Sequence, residues 1–384
     1  MKNGMRFLCL FLTVIVFVFS PAAAEENVPS VLEINAKSAV LMDFMTGDIL
    51  FSHNPKEHLQ IASVTKIMTM LLIMEAINAG KISYEDMVTT SEYAASMGGS
   101  QVYLEQGEQM TVSDMLKAIA VASANDACVA MAEHIMGSVP AFINAMNKRA
   151  KALEMNDTVF VNCSGLDDEN QYSCASDVAK MTKELLKHQA IIPYLTIWID
   201  SLRNGEFGLS NTNRLIRFYD GAIGVKTGST DEAKYCLSAA ATRDDLTLIA
   251  VVLAAPTTND RFSCATKLLD YGFANYAMIK GANKGDSYGN AAVSKGEKKE
   301  VEAIAAEDFR KLVSKEEKGS VDVKVVMPEY VIAPVNQNEK IGELHIYISE
   351  KHAGTVDLVA KDHVPRIKVW YMFINILKMW SVMC

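Results

Sequence analysis

No two of the seven cysteines are spaced as a Cys-x-x-Cys pair, which removes the usual thiolate metal sites and the thioredoxin-type redox motif. The seven histidines are scattered and none belongs to a His-Glu-x-x-His, so a zinc peptidase lacks its ligand set. Gly-x-Ser-x-Gly is missing too, and with it the nucleophile elbow of the Ser-His-Asp hydrolases. Basic charge is short: 37 Lys and Arg face 46 Asp and Glu, for a formal net charge of −9, which argues against nucleic acid as a partner. Neither a metal nor a cofactor is expected. There is no internal repeat and no low-complexity tract.

Long apolar runs are scarce as well. The one at the N-terminus, residues 7–19 behind Lys2 and Arg6, falls short of the roughly 20 residues a spanning helix needs. It leads into Ser20-Pro21-Ala22-Ala23-Ala24. A basic end, an apolar segment and an Ala-x-Ala site predict a secretory signal peptide over residues 1–24, cleaved after Ala24, with the body outside the cytoplasm. At the other end, residues 364–384 are dominated by Val, Ile, Trp, Met and Phe, with Lys368, Tyr371, Asn375 and Lys378 forming one polar stripe. That pattern predicts an amphipathic helix lying in a membrane interface. In an exported chain a disulfide is possible, Cys163 and Cys174 being the nearest pair; Cys128, Cys236 and Cys264 read as small core residues.

What the chain does have is Ser63-Val64-Thr65-Lys66 at the opening of a strongly apolar stretch. From Thr65 to Asn78 it reads as helix, without internal Gly or Pro and with Gly80 as a stop signal. Residues i and i+3 share a helix face, so the Lys66 amine can reach the Ser63 oxygen. A serine hydroxyl is a poor nucleophile until a base takes its proton, and a lysine is that base only when neutral. Lowering its pKa by about three units costs roughly 4 kcal/mol, to be supplied by burial, a helix N-terminus or a second cation.

Along the chain, residues 38–44 and 48–52 read as a hairpin and residues 81–110 as a polar surface excursion. A helix over 112–121 breaks at Ala122-Ser123-Ala124-Asn125 before a second over 126–136, which leaves Ser123 and Asn125 in a connector where both side chains can face one cleft. Asn125 could equally be only a helix cap. A helix over 140–155, a short strand over 158–161 and a helix to Lys187 follow. Strands over 221–229, 235–242 and 246–254 form an antiparallel meander, with Lys226-Thr227-Gly228 in the first and a helix over 260–276 packed on it. Beyond residue 280 short alternating strands predict a small all-β module. The expected domains are 1–24 (signal), 25–280 (catalytic), 281–363 (β-rich) and 364–384 (tail).

Ser63-x-x-Lys66, Ser123-x-Asn125 and Lys226-Thr227-Gly228, in that order, resemble the three motifs of the serine penicillin-recognising enzymes, the penicillin-binding proteins and serine β-lactamases. Within that group the chain is most similar to the low-molecular-mass D-alanyl-D-alanine carboxypeptidases. The matching words are residues 62–69, Ser123-Ala124-Asn125-Asp126-Ala127, Asn211-Thr212-Asn213, Gly224-Val225-Lys226-Thr227-Gly228 and residues 268–273.

The resemblance implies an α/β (α+β) fold with a helix-flanked five-stranded antiparallel sheet of the β-lactamase/transpeptidase type, a small β domain and a membrane-associating tail. It implies removal of the terminal D-alanine from peptidoglycan pentapeptide stems and acylation by β-lactam antibiotics. It also implies an extracytoplasmic place at the bacterial membrane surface. Ser63 would attack, Lys66 would take its proton, and Ser123 would relay a proton to the leaving amine. Asn125 would hold Lys66 and the substrate amide. Lys226 would depress the Lys66 pKa and, with Thr227 and Arg261, dock the terminal carboxylate. Backbone N–H groups of Ser63 and Ser229 would meet the oxyanion, and Gly228 would leave room for substrate along the strand.

One departure is that Ser164 stands where a His often precedes Gly-Leu, so the turn of residues 162–167 is given no catalytic role. Two alternatives stay open. One is a serine β-lactamase, although the region of Val159–Asn162 offers no carboxylate for deacylation. The other is a catalytically idle wall-binding protein.

Overall fold

The structure, a computed structural model, describes residues 32–368 and Trp370. The signal peptide and nearly all of the expected amphipathic tail lie outside the described residues. Among the described residues no helix is long and apolar enough to cross a membrane.

The sheet of the first domain has the strand order Ile49–His53, Ser38–Asp43, Leu246–Ala255, Lys234–Arg243, Ala222–Thr230, each neighbour antiparallel. The Leu246–Ala255 strand is nearly continuous Ala, Val, Leu and Ile, and its neighbour Lys234–Arg243 is buried from Cys236 to Ala241, as befits strands covered on both faces. The Thr258–Asn275 helix, started by the Thr257 hydroxyl accepting from Asp260 N, packs on the sheet. The Ala175–Lys187 helix also packs on it and itself carries the Lys66–Asn78 helix. Every residue from Lys66 to Met74 is buried, which explains why that helix is apolar all round rather than amphipathic. It stops where expected, at Ala79, with Gly80 at φ +67°.

Two expectations are corrected. Residues 81–110 are not simply a surface loop: Met87–Thr89 pairs with Gln109–Thr111, and Val88, Val102, Leu104 and Met110 are buried. Isolated apolar residues in a polar stretch carry no periodicity, so their burial was not readable. The strand expected over residues 158–161 is reduced to a single bridge, Val159 with Tyr172. The described cysteines, Cys163 and Cys174 included, are free and buried.

The C-terminal module is all-β. Six strands form one sheet around Leu344, Ile346, Val356 and Leu358, and Tyr276–Ala282 pairs separately with Phe309–Ser314. Val364 is fully buried and bridges Val335, and Arg366 bridges Gly296, so this module reaches into the segment expected to be tail.

Candidate active site

Ser63 sits in a 3-10 turn, Ala62–Thr65, that runs directly into the Lys66–Asn78 helix. The edge strand Ala222–Thr230 lies against this turn: a methyl group added to Gly228 would stand 2.7 Å from Ile61 O and 2.8 Å from Ser63 N. Only a residue without a side chain lets strand and turn approach so closely. Ser63 is part-exposed while Ala62, Val64 and Lys66 around it are buried, so it is the one residue of this turn open to solvent.

Lys66 is fully buried, and its Nζ lies 2.9 Å from Ser63 Oγ, 2.6 Å from Asn125 Oδ1 and 2.6 Å from the Ser164 carbonyl. Asn125 Nδ2 donates to Gly98 O, which fixes its amide with the oxygen toward Lys66. An amide oxygen and a carbonyl only accept. They take two hydrogens of the Lys66 amine, and the third contact of Nζ is Ser63 Oγ, to which a protonated Lys66 donates and from which a neutral one would accept.

Burial is what lowers the Lys66 pKa, against the opposing influence of Cys128, Cys163 and Asp126. Lys226 is buried too and held well below its ordinary value, first by burial and then by the charge of Lys66. The sequence had cast Lys226 as the cause and Lys66 as the affected group. In the structure desolvation leads for both, and their mutual repulsion weighs on Lys226.

Ser123 ends a π-helical turn, Ala118–Ala122, in the left-handed region at φ +63°, a conformation non-glycine residues seldom adopt. Its Oγ is buried without a hydrogen-bond partner among the described residues. It therefore reaches neither Ser63 nor Lys66 here, and an unpaired buried hydroxyl is a group that calls for an explanation. Asn125 begins the Asn125–Met136 helix, Ala124 taking the cap position, so Asn125 is not a mere cap. Asp126 behind it accepts from Val102 N and Leu104 N and so fastens the 98–104 wall.

Thr227 Oγ1 lies 2.5 Å from Thr212 Oγ1, which gives Asn211-Thr212-Asn213 a contact with the edge strand. Arg261 Nη1 donates to Gly228 O at 3.1 Å, its guanidinium lies over the Tyr235 and Phe262 rings, and burial draws its pKa down to about 10. Its Nε has no partner among the described residues. Ser229 is exposed at the outer end of the strand.

The turn of residues 162–167, expected to be idle, supplies the Ser164 carbonyl to Lys66. Asn162 Oδ1 accepts from Gly165 N at 2.6 Å and Ser164 N at 3.2 Å, and Gly165, at φ +86°, has no space for a methyl group against Ala62. An Asn three residues before a Gly was the available signal. The acceptor itself is backbone, and no residue type announces it.

Comparison with known proteins places these groups in context. Residues 23–257 match the family model described as D-alanyl-D-alanine carboxypeptidase, and residues 276–366 match that of the penicillin-binding protein 5 C-terminal domain. The chain is 45% identical to D-alanyl-D-alanine carboxypeptidase DacF of Bacillus subtilis, with 87% of this chain and 88% of that protein covered. It is 32% identical to DacC of Escherichia coli, over 91% and 89% of the two chains. Among solved structures, penicillin-binding protein 5 of Haemophilus influenzae superposes with a TM-score of 0.70 at 32% identity, covering 87% of this chain and 99% of that one. Penicillin-binding protein D2 of Listeria monocytogenes, solved with ampicillin bound, gives 0.58 at 30% identity, over 63% and 98%.

Proposed function

The chain belongs to the D-alanyl-D-alanine carboxypeptidase family, and from that premise we propose that Ser63 is the residue acylated when this serine peptidase removes the terminal D-alanine from a peptidoglycan stem peptide. One observation supports the assignment: the fully buried Lys66 amine lies 2.9 Å from Ser63 Oγ, and its other hydrogen-bond partners among the described residues are the neutral oxygens of Asn125 and Ser164.

Ser63 Oγ attacks the carbonyl joining the two D-alanines as Lys66 takes its proton. The oxyanion is met by the N–H groups of Ser63 and Ser229, each such donor being worth about 10²–10³ in rate. Ser123 passes a proton to the departing amine, which satisfies its unpaired hydroxyl. Lys226, Thr227 and Arg261 receive the substrate's terminal carboxylate, Asn125 its amide, and Gly228 leaves the strand edge clear. Water then releases the acyl group. A β-lactam enters the same path and stops at the ester. Mass spectrometry after incubation with benzylpenicillin is expected to find the intact drug on the peptide containing Ser63. An adduct elsewhere, or none, would sink the assignment.

The exported location, and attachment to the outer membrane surface through residues 364–384, rest on the sequence pattern alone. Ending the chain after Lys368 is expected to leave penicillin acylation intact and release the protein from membranes. Retained sedimentation with membranes would refute the attachment.

A further inference from the structure

In the Lys340–Ile348 strand Leu344, Ile346 and Ile348 point into the C-terminal core, which leaves Glu343, His345 and Tyr347 on the outer face. In the neighbouring Lys351–Ala360 strand, residues 352 and 355 are an odd number apart and would ordinarily point to opposite faces. A bulge at Ala353 changes the parity, because Ile346 pairs with Gly354 whereas Tyr347 pairs with His352. His352 and Thr355 thus both reach the outer face, with His345 directly across from Thr355. His345 Nδ1 lies 3.4 Å from His352 Nε2, and the Thr355 hydroxyl lies 3.3 Å and 3.2 Å from those two nitrogens. The remaining nitrogen of His345, Nε2, is 3.3 Å from the Glu343 carboxylate.

We propose that His345 and His352 bind a divalent transition-metal ion of the zinc, copper and nickel class, with Thr355 and water completing the shell. Two imidazole nitrogens each about 2.0–2.1 Å from a tetrahedral zinc stand roughly 3.3 Å apart, the spacing the two rings already have. The Glu343 carboxylate, 3.3 Å from His345 Nε2, is close enough to favour a proton on that nitrogen and leave Nδ1 free for a metal, and carboxylates commonly set metal-binding histidines in this way. Tyr347 braces the His352 ring edge-on at 5.4 Å. Imidazole donors favour zinc, copper and nickel over magnesium or calcium. Lys324, the cross-strand neighbour of His345 on its other side, opposes a cation and keeps the site weaker than one with three histidines.

The test uses the tag-free purified protein, titrated with Zn²⁺ by calorimetry and with Cu²⁺ by electron paramagnetic resonance. The copper spectrum is expected to show coupling to two nitrogens. His345→Ala and His352→Ala are each expected to weaken Zn²⁺ binding at least about tenfold, and Glu343→Gln to weaken it less. Unchanged thermal midpoints and fluorescent-penicillin labelling establish that the variants are folded. Zn²⁺ affinity unaffected by His345→Ala, or a copper spectrum without two-nitrogen coupling, would overturn the site.

Discussion

Lys66 and Lys226 are fully buried with no carboxylate among their hydrogen-bond partners in the described residues, whereas Lys298, Lys340 and Lys361 of the C-terminal module stand half-exposed, each paired with an acidic side chain. Burying an ammonium costs several kcal/mol unless a counter-charge accompanies it, and burial accordingly draws the pKa of both Lys66 and Lys226 down. In the β module water and carboxylates keep the ammonium charged at little cost. One residue type thus has its pKa lowered by enclosure in one domain and stands in water beside a carboxylate in the other. The difference lies in what surrounds it.

Three experiments can break or sharpen this contrast. The largest effect is expected from Lys66→Met, which keeps the volume and removes the base: penicillin acylation should fall by about 10⁴ or more, while the thermal midpoint holds or rises because a buried amine has been replaced by a thioether. Near-normal acylation of a folded Lys66→Met protein would remove Lys66 from the proton-transfer role. A smaller and graded effect is expected from pH. The folded-state pKa of Lys66 is lowered from its ordinary 10.5, so the neutral amine predominates above the lowered value. Acylation should then decline about tenfold per unit as pH falls below it. The same shift makes the folded state gain stability as pH rises from that lowered value toward 10.5, since the unfolded chain there binds the extra proton. Stopped-flow acylation across pH tests this, and an acid-insensitive rate would contradict a lysine base. The smallest effect belongs to Lys340→Ala, which loses exposed contacts with Glu343 and Asp357. Neither the acylation rate nor the thermal midpoint should move measurably; a clear loss of either would mean that surface pairs in the β module do more than solvate.

Much of the architecture could be read in advance. The apolar Lys66–Asn78 helix, the three-strand meander ending at Ala255 and the change to a β module near residue 280 all follow from composition and period. What escaped was structure held by sparse contacts. Val88, Val102, Leu104 and Met110 are buried one at a time within a polar stretch, and the short pairing of Met87–Thr89 with Gln109–Thr111 depends on tertiary neighbours rather than local preference. At the site, Ser63, Lys66 and Asn125 were legible as motif residues. The left-handed backbone of Ser123, the grip of Arg261 on Gly228 O and the Ser164 carbonyl facing Lys66 were not.

By itself the sequence determined the one-turn offset of Ser63 and Lys66 and the order of motifs that marks the family. Only the tertiary structure decided that Lys66 is enclosed and which neutral oxygens its amine faces. The reason is physical: a pKa reports the dielectric and the dipoles around a group, and those around Lys66 come from the segments bearing Asn125 and Ser164, which folding alone brings to it.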